Sequence, residues 1–314
     1  MRVAIVGTGG IAQRHLGVLA QIRDVEVVGH VSAEPARAEA QAGQAGGRAF
    51  ASISRLLAEA APEAVWLCVT PDRHGPLEET LIDARIPFFV EKPLSVDRAT
   101  AESIAQRLAH AGAPIVAVGY KFRALDTLPR VRALLHEQPP RMVVAAWHDA
   151  LPPPVWWRRA TRGGGQVVEQ ATHLLDLARV LVGEGEVIGA LGRQWPRADA
   201  PDSDVPDVSA AFLRLHTPHG PVPATLTATT LLRGGQAIHL QLICEGRVLT
   251  LSERSLLIET GREVEEVVAT SDPFLVEDRA FLDAIRTADP SRVLCSYEDA
   301  LQTHRLALAI RAAL

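Results

Sequence analysis

The stretch GGGQVVEQATHLLD, residues 163–176, places a glutamate and a histidine four residues apart. With about 100° of rotation per residue, a helix brings Glu169, His173 and Asp176 into one narrow polar stripe. The apolar residues of this stretch cluster on the opposite side, which predicts that His173 is not a core histidine. Two interpretations remain open: a solvated helix face carrying polar pairs, or one wall of an active site.

A histidine in an active site would suit proton transfer during the oxidation of an alcohol. A hydride leaves a carbinol carbon only as the hydroxyl proton departs, so a general base must reach that hydroxyl. We predict that His173 is this base and that Glu169 fixes its tautomer. A metal site built on these residues is not predicted, because the sequence has no further Cys or His cluster at ligand spacing.

Lysine is rare in this chain. Of the 32 basic residues only Lys92 and Lys121 are lysines. A chain that uses arginine for nearly every cation keeps a lysine either by chance or where a compact ammonium group is needed. Lys92 follows the apolar run PFFV, at the carboxyl end of a predicted parallel strand, which is where ligands bind in open α/β sheets. We predict that its ammonium group stabilises developing alkoxide charge on the substrate oxygen.

A glycine-rich turn near the beginning of the sequence predicts a dinucleotide site. Gly7, Gly9 and Ala12 form a GxGxxA pattern between a predicted strand and a predicted helix. Glycines there permit a tight turn and close approach of a pyrophosphate to the free N–H groups of the helix. The predicted cofactor-binding residues of the turn are Gly7, Thr8, Gly9, Gly10, Ile11 and Ala12.

The end of the second predicted strand bears on the choice between NAD and NADP. An acidic residue normally bonds the ribose 2′-OH in NAD enzymes, and Ser32 occupies its expected place in the segment VVGHVSAEPARA. Ser32 and Arg37 can bond a 2′-phosphate instead, which favours NADP over NAD. The alternative is that Arg37 is a solvated helix residue and Glu34 takes the role of the acid.

The elements that position these residues predict two domains. In residues 1–119, short continuously apolar strands alternate with helical segments, as in a doubly wound parallel sheet of the Rossmann type. Residues 120–314 contain apolar runs joined by Gly and Pro turns, which predict an α/β domain with a large, mainly antiparallel sheet. Strands of the first domain are predicted at Val3–Val6, Val25–Val31, Arg48–Phe50, Ala64–Val69, Pro87–Val90 and Pro114–Val118.

Composition excludes several classes of partner. The formal net charge of −5 and the pI near 6.1 provide no basic surface for nucleic acid or anionic lipid. The first apolar run is too short for a signal peptide, and no later segment is apolar enough to span a bilayer. We therefore expect a cytoplasmic protein with a small-molecule substrate.

Five motifs occur in a specific order: GTGGIA, TPDRH, EKP, GYKFR and GGGQVVEQATHLLD. In this order the chain resembles the Gfo/Idh/MocA oxidoreductases, relatives of glucose-fructose oxidoreductase and inositol dehydrogenase. The resemblance implies a substrate cleft between the two domains and a homodimer or homotetramer formed through the open face of the second sheet. It also implies cofactor contacts from five residues after the fourth and fifth strong strands: Thr70, Pro71, His74, Glu91 and Lys92.

The resemblance also assigns the catalytic residues. The family's EKP lysine, often followed by a cis proline, matches Lys92, and its paired acid and histidine match Glu169 and His173. Many members have Asp where this chain has Glu169, and Gly where it has Ala171, so the geometry around the substrate is expected to differ.

Four further residues are candidates for binding the substrate. Lys121 and Arg123 open the second predicted domain, and Arg123 is either a substrate contact or a structural cation. Trp157 and Arg158 follow a proline-rich loop and are placed either over a sugar face or, for Trp157, in the core.

These residues predict an NAD(P)-dependent dehydrogenase that acts on a CH–OH or carbonyl group of a sugar, polyol or related metabolite. Two other functions fit the same fold: a non-catalytic NAD(P)-sensing regulator, and a redox-assisted hydrolase or lyase that keeps its cofactor bound.

Overall fold

Six short apolar strands form a parallel sheet in the computed structural model, which describes residues 1–314. The strand order is β3-β2-β1-β4-β5-β6, with every neighbouring pair parallel. The strands are β1 (Arg2–Val6), β2 (Glu26–Val31), β3 (Arg48–Phe50), β4 (Ala64–Leu67), β5 (Phe88–Val90) and β6 (Val116–Val118). The predicted strands are all present, most of them with shorter bounds.

Helices connect these strands and bury them. They are α1 (Gly10–Leu19), α2 (Pro35–Ala45), α3 (Ile53–Ala60), α4 (Pro76–Asp83) and α5 (Arg98–Leu108). Successive side chains of a strand point to opposite faces, and here both faces are apolar and buried, as Val3, Ala4 and Ile5 of β1 show. One layer of core contains Ala4 and Val6, and the other contains Val3 and Ile5.

The chain returns to this sheet near its end. Residues Met1–Ala124 and Asp272–Leu301 form one unit, and Leu125–Ser271 and Gln302–Leu314 form the other. The returning segment contains α8 (Pro273–Thr287), which begins after the cap Asp272, and the first residues of α9 (Tyr297–Ala313). This division differs from the predicted one at residue 120, since a helix far along the chain completes the first unit.

The second unit is built on an eight-stranded sheet. Its order is β14-β13-β12-β11-β7-β10-β9-β8, and only the pair β7 and β10 is parallel. The strands are β7 (Met142–Ala150), β8 (Gly185–Arg193), β9 (Val208–Leu215), β10 (Val222–Leu232), β11 (Ala237–Cys244), β12 (Arg247–Leu251), β13 (Ser255–Thr260) and β14 (Glu263–Val268). The helices of this unit are α6 (Leu128–Glu137), α7 (Thr172–Leu181) and the remainder of α9.

One face of the large sheet lacks a covering layer. Strand alternation places Val143 and Trp147 on the face that carries α7, and it places Met142 and Val144 on the other. Large exposed apolar side chains occur along that other face: Met142, Leu191, Phe212 and Val264. We refer to it as the open face.

The predicted fold class is confirmed, with a parallel Rossmann sheet and a mostly antiparallel second sheet. The sequence interpretation missed α8 and β14. None of the helices combines the length and the apolar content that crossing a membrane requires.

Candidate active site

The glycine-rich turn joins β1 to α1 and is shaped by its glycines. Gly7 has φ +116°, and a Cβ there would lie 2.0 Å from the carbonyl oxygen of Cys68, so only glycine fits. Gly9 caps α1 without any side-chain cap bond, and a Cβ at Gly9 or Gly10 would meet nothing within 4 Å. The turn therefore leaves open space beside the free N–H groups of a helix, which is what a pyrophosphate requires.

Ser32 and Arg37 both contact the glycine-rich turn. The Ser32 hydroxyl lies 3.2 Å from that of Thr8, and the Arg37 guanidinium donates to the Thr8 carbonyl at 3.1 Å. Arg37 also pairs with Glu34 at 3.3 Å, with both side chains largely exposed. The two residues predicted to select NADP thus both lie against the glycine-rich turn, Ser32 just after β2 and Arg37 in α2, and the competing Glu34 pairs with Arg37.

The carboxyl end of β4 carries a buried histidine–glutamate pair. His74 bonds Glu78 through Nδ1, and the other carboxylate oxygen of Glu78 accepts the Gly75 N–H. The Nε2 atom of His74 is buried and has no hydrogen-bond partner. Thr70 and Pro71, the other predicted cofactor contacts of this motif, lie just before it in the same loop.

The carboxyl end of β5 holds Glu91, Lys92 and Pro93. The peptide bond between Lys92 and Pro93 is cis, as the resemblance predicted. Glu91 is 4% exposed and Pro93 is buried, whereas Lys92 between them is half-buried. Lys92 therefore combines an accessible side chain with a backbone that is fixed on both sides.

A cluster that the sequence interpretation missed surrounds the side chain of Glu91. His15 bonds Glu91 through Nε2 at 3.0 Å and Asp278 through Nδ1 at 2.9 Å, and His15 is fully buried. Burial alone would lower the pKa of His15, but the charges and hydrogen bonds of Asp278 and Glu91 raise this pKa well above its ordinary value. Each ring nitrogen faces a carboxylate oxygen, which accepts, so this geometry fits a charged imidazole in which both nitrogens donate.

Two features of the sequence point to His15 and its partners. His15 follows Ala12 by three residues, so it shares the buried face of α1 with that alanine. The segment SDPFLVED carries an N-cap aspartate followed by proline, which is a helix start. The pairing itself joins residues 263 positions apart, and no local pattern contains it.

In the second unit, Glu169 and His173 lie on either side of a change in helix type. Val167–Ala171 forms a π-helical turn, and α7 begins at Thr172. A π turn closes over five residues instead of four, so angles counted at the α-helical period do not hold across it. Glu169 is half-buried at this turn, and such turns are frequent at functional sites.

His173 is buried, contrary to the prediction from angular spacing. It is 4% exposed, and its ring stacks on Trp147 of β7 with centroids 6.0 Å apart. The residues of α7 from Thr172 to Arg179 are all buried, so the helix has no solvated face at these positions. The interpretation as a wet helix surface is therefore wrong.

Asp176, the third polar residue of the predicted stripe, is buried among polar partners that hold two helices together. It is 0% exposed, its Oδ1 accepts the Thr303 hydroxyl at 2.7 Å, and Arg179 lies 3.9 Å away. Arg179 also donates to Thr303 and pairs with Glu184. This closed network holds α7 to α9 within the second unit.

Removing the carboxylate at Asp176 is expected to destabilise the protein. Asp176→Ala leaves the Thr303 hydroxyl without its buried acceptor and removes a carboxylate beside the buried Arg179, which costs about 3 kcal/mol of unfolding free energy. Denaturant unfolding measures this loss. The control is Asp202→Ala, which breaks a half-exposed pair with Arg159 and should cost under about 1 kcal/mol. Equal losses for the two variants would show that the buried network contributes no more than a surface pair.

The four predicted substrate-binding residues have different surroundings. The Lys121 ammonium lies 5.0 Å from the centroid of the Phe274 ring. The Arg123 guanidinium pairs with Asp299 and donates to the Leu294 carbonyl. These contacts favour the alternative that Arg123 is a structural cation and not a substrate contact.

The two candidates after the proline-rich loop also differ. Trp157 is 2% exposed, which favours its packing role. Arg158 is half-buried, and its Nε atom is buried without a hydrogen-bond partner. Of Trp157 and Arg158, Arg158 is therefore the residue that still has a hydrogen-bond donor to offer to a ligand.

Comparison with protein families assigns both parts of the chain. Residues 1–120 match the model of an oxidoreductase family with an NAD-binding Rossmann fold, named GFO_IDH_MocA, and residues 139–250 match the GFO/IDH/MocA C-terminal domain. The chain belongs to the GFO/IDH/MocA family of oxidoreductases. The resemblance predicted from the motifs is confirmed.

Curated relatives of this GFO/IDH/MocA protein include an uncharacterized protein, UNK4.17, from Schizosaccharomyces pombe. It is 26% identical over 288 residues, covering 80% of this chain and 70% of the relative. An inositol 2-dehydrogenase from Mycolicibacterium gilvum is 32% identical over 138 residues, which cover 43% of this chain and 39% of that enzyme.

Solved structures share the fold along the entire chain. The UDP-N-acetylglucosamine 3-dehydrogenase GnnA from Acidithiobacillus ferrooxidans is 24% identical with a TM-score of 0.83, and the match covers 100% of this chain and 97% of GnnA. The 3-ketoreductase KijD10 from Actinomadura kijaniata, in complex with NADP and TDP-benzene, is 22% identical with a TM-score of 0.86 and the same coverage.

Proposed function

We propose that this oxidoreductase transfers a hydride between NADP(H) and a carbinol or carbonyl carbon of a sugar or polyol. The observation that carries the proposal is Lys92, one of two lysines in the chain, which follows the buried Glu91 at the carboxyl end of β5. A compact cation on a fixed backbone, at the sheet edge where the glycine-rich turn also lies, suits charge stabilisation beside a nicotinamide. Relatives named inositol 2-dehydrogenase support the substrate class.

The proposed mechanism divides the work among three side chains. A bound nicotinamide supplies the hydride acceptor or donor. Lys92 hydrogen-bonds the substrate oxygen and stabilises the negative charge that develops on it. His173 takes the hydroxyl proton during oxidation and returns it during reduction. Glu169, half-buried in the π turn four residues before His173, orients the imidazole and stabilises the imidazolium.

Remaining cofactor and substrate assignments belong to the same proposal. Thr70, Pro71 and His74 at the end of β4 bind the cofactor beside the glycine-rich turn, where the open Nε2 of His74 can accept a hydrogen bond. Arg158 and Lys121 contact substrate oxygens.

The homodimer or homotetramer stays a prediction, and the apolar side chains of the open face are its proposed contact surface.

The test of the proposed function is a substrate panel followed through the absorbance of the reduced nicotinamide. Polyols, free sugars and nucleotide-linked sugars are each offered with both cofactors, in the direction of oxidation and, for keto sugars, of reduction. Turnover with net cofactor conversion supports the proposal. Binding without turnover favours the regulator, and turnover of substrate without net conversion favours the redox-assisted hydrolase or lyase.

Cofactor selectivity provides a separate prediction. Arg37→Ala is expected to weaken NADPH binding by about 10-fold or more and to leave NADH binding nearly unchanged, because only NADPH carries the phosphate that a guanidinium bonds. Fluorescence titration of each reduced cofactor measures both dissociation constants. Arg55→Ala, which removes an exposed arginine of α3, controls for the change in net charge. An equal loss for NADH and NADPH would contradict the preference for NADP.

A further inference from the structure

The buried cluster around His15 connects three separate parts of the first unit. His15 belongs to α1, the helix whose first turn is the glycine-rich site. Glu91 directly precedes Lys92, and Asp278 belongs to α8. Trp66 of β4 donates its indole N–H to the same Asp278 at 3.0 Å, which fixes the carboxylate that holds His15. The cofactor helix is thereby bonded to the residue before the proposed catalytic lysine.

The side chain of Glu91 has little space in which to move. A Cβ at Gly119 would lie 2.6 Å from Glu91 Oε1, so the backbone after β6 closes against this carboxylate. The backbone N–H of Glu91 bonds the carbonyl of Leu67 at 3.0 Å. The Glu91 backbone is held by Leu67, and its carboxylate is held by His15 and the nearby Gly119. Glu91 therefore couples the position of α1 to that of Lys92.

The cluster contains acidic and basic groups. The ionisable groups around His15 are Glu91, Asp278, Glu277, Lys121 and Cys68. Burial and the charge of Glu91 raise the pKa of the Glu277 carboxyl well above its usual range, and its Oε1 atom has no hydrogen-bond partner. A raised Glu277 pKa lowers the number of negative charges in the cluster, and His15 and the half-buried Lys121 are the cations close to these carboxyl groups.

We propose that His15 is a positioning residue that ties α1 to Glu91 and thereby fixes where Lys92 stands for the transfer step. The inference rests on the proposed function, since it needs Lys92 to act on the substrate oxygen. Small misplacements of a catalytic group lower the rate strongly even when the ligand still binds. His15 therefore contributes to kcat without touching substrate or cofactor.

The experiment compares His15→Asn with a matched variant, His30→Asn. His30 of β2 is also fully buried, but it bonds the Gly46 carbonyl and Gln41 and has no link to Glu91. Both variants lose stability. Only His15→Asn is expected to lower kcat, by roughly 100-fold, with little change in the dissociation constant of the cofactor. Equal values of kcat in the two variants would overturn the inference.

A double-mutant cycle separates positioning from general damage. If His15 acts through Lys92, adding His15→Asn to Lys92→Ala causes no further loss of kcat, whereas independent effects multiply. Multiplying effects overturn the inference. If Lys92→Ala alone leaves kcat unchanged, the proposed function fails, and this outcome is recognisable before His15 is considered.

A second pair of variants serves if His15→Asn does not fold. Glu91→Gln keeps an acceptor oxygen for His15 Nε2, whereas Glu91→Ala removes it, so Glu91→Ala should lower kcat as much as His15→Asn does and Glu91→Gln should lower it clearly less. Similar kcat values for Glu91→Gln and Glu91→Ala overturn the inference.

A chelator provides a further test. Activity that is lost to a chelator and restored by a divalent cation also overturns the inference, since His15, Glu91 and Glu277 offer atoms within 4.8 Å of one another that a metal ion could bind.

Discussion

Lys92→Ala is expected to lower kcat by about 100- to 1000-fold, the cost of removing one preorganised donor from a developing oxyanion. The cofactor dissociation constant should change little, because the glycine-rich turn, Ser32 and Arg37 remain in place. Steady-state kinetics on the best substrate of the panel, together with fluorescence titration of the cofactor, measure the two effects separately.

Lys92→Arg is the informative companion variant. Arginine keeps the positive charge, but its planar guanidinium cannot take the position of a compact ammonium between the buried Glu91 and Pro93. We expect most of the loss to persist in this variant. Full activity with arginine would show that any cation suffices, and the rarity of lysine in this chain would then have no functional meaning.

His173→Asn is expected to lower kcat/KM for oxidation by roughly 100- to 10,000-fold, because the hydroxyl proton loses its acceptor. The shape of the pH profile should change as well. In the wild type, kcat/KM rises with pH as the base loses its proton, and this limb should flatten in the variant. Initial rates across a pH series measure both changes.

His216→Asn is the control for this variant. His216 belongs to the same unit, but its side chain is 58% exposed and lies near Glu186 on the surface, so its loss should leave the rate and the pH profile intact. An unchanged acid limb in His173→Asn would assign the base to another residue, even if the rate fell. Because His173 stacks on Trp147, tryptophan fluorescence of the folded variant reports whether the packing survived.

Local patterns predicted the parallel sheet well, because each of its strands is buried on both faces and reads as an uninterrupted apolar run. Residues 64–67 and 88–90 are examples in which composition alone fixes the environment. The glycine-rich turn was equally readable, since the steric demand at Gly7 is local.

His173 shows where such patterns fail. Its burial depends on the π turn before it and on the indole of Trp147, and neither follows from counting residues along an α-helix. In the sequence, Glu169, His173 and Asp176 look like one solvated face of a helix. In the structure, partners that are distant in the sequence satisfy them, as Thr303 does for Asp176.

Helix α8 was missed for a related reason. Glu277 and Asp278 interrupt its apolar periodicity at positions that are buried, and their burial makes sense only beside His15. The boundary predicted at residue 120 rests on the change in sequence pattern after Tyr120, and that pattern does not reveal that α8, capped by Asp272, returns to the first unit.

The bond between His15 and Asp278 also sets an order of events during synthesis. When the first 124 residues have left the ribosome, all six strands of the parallel sheet have been synthesised, but Asp278, which accepts from the Trp66 indole and bonds His15, has not. A buried imidazolium with a missing partner is costly, so we expect this part of the unit to be unstable until α8 is present. Chains that stop before Asp278 therefore lack a carboxylate that both His15 and Trp66 bond, and we expect them to be less stable than the whole unit.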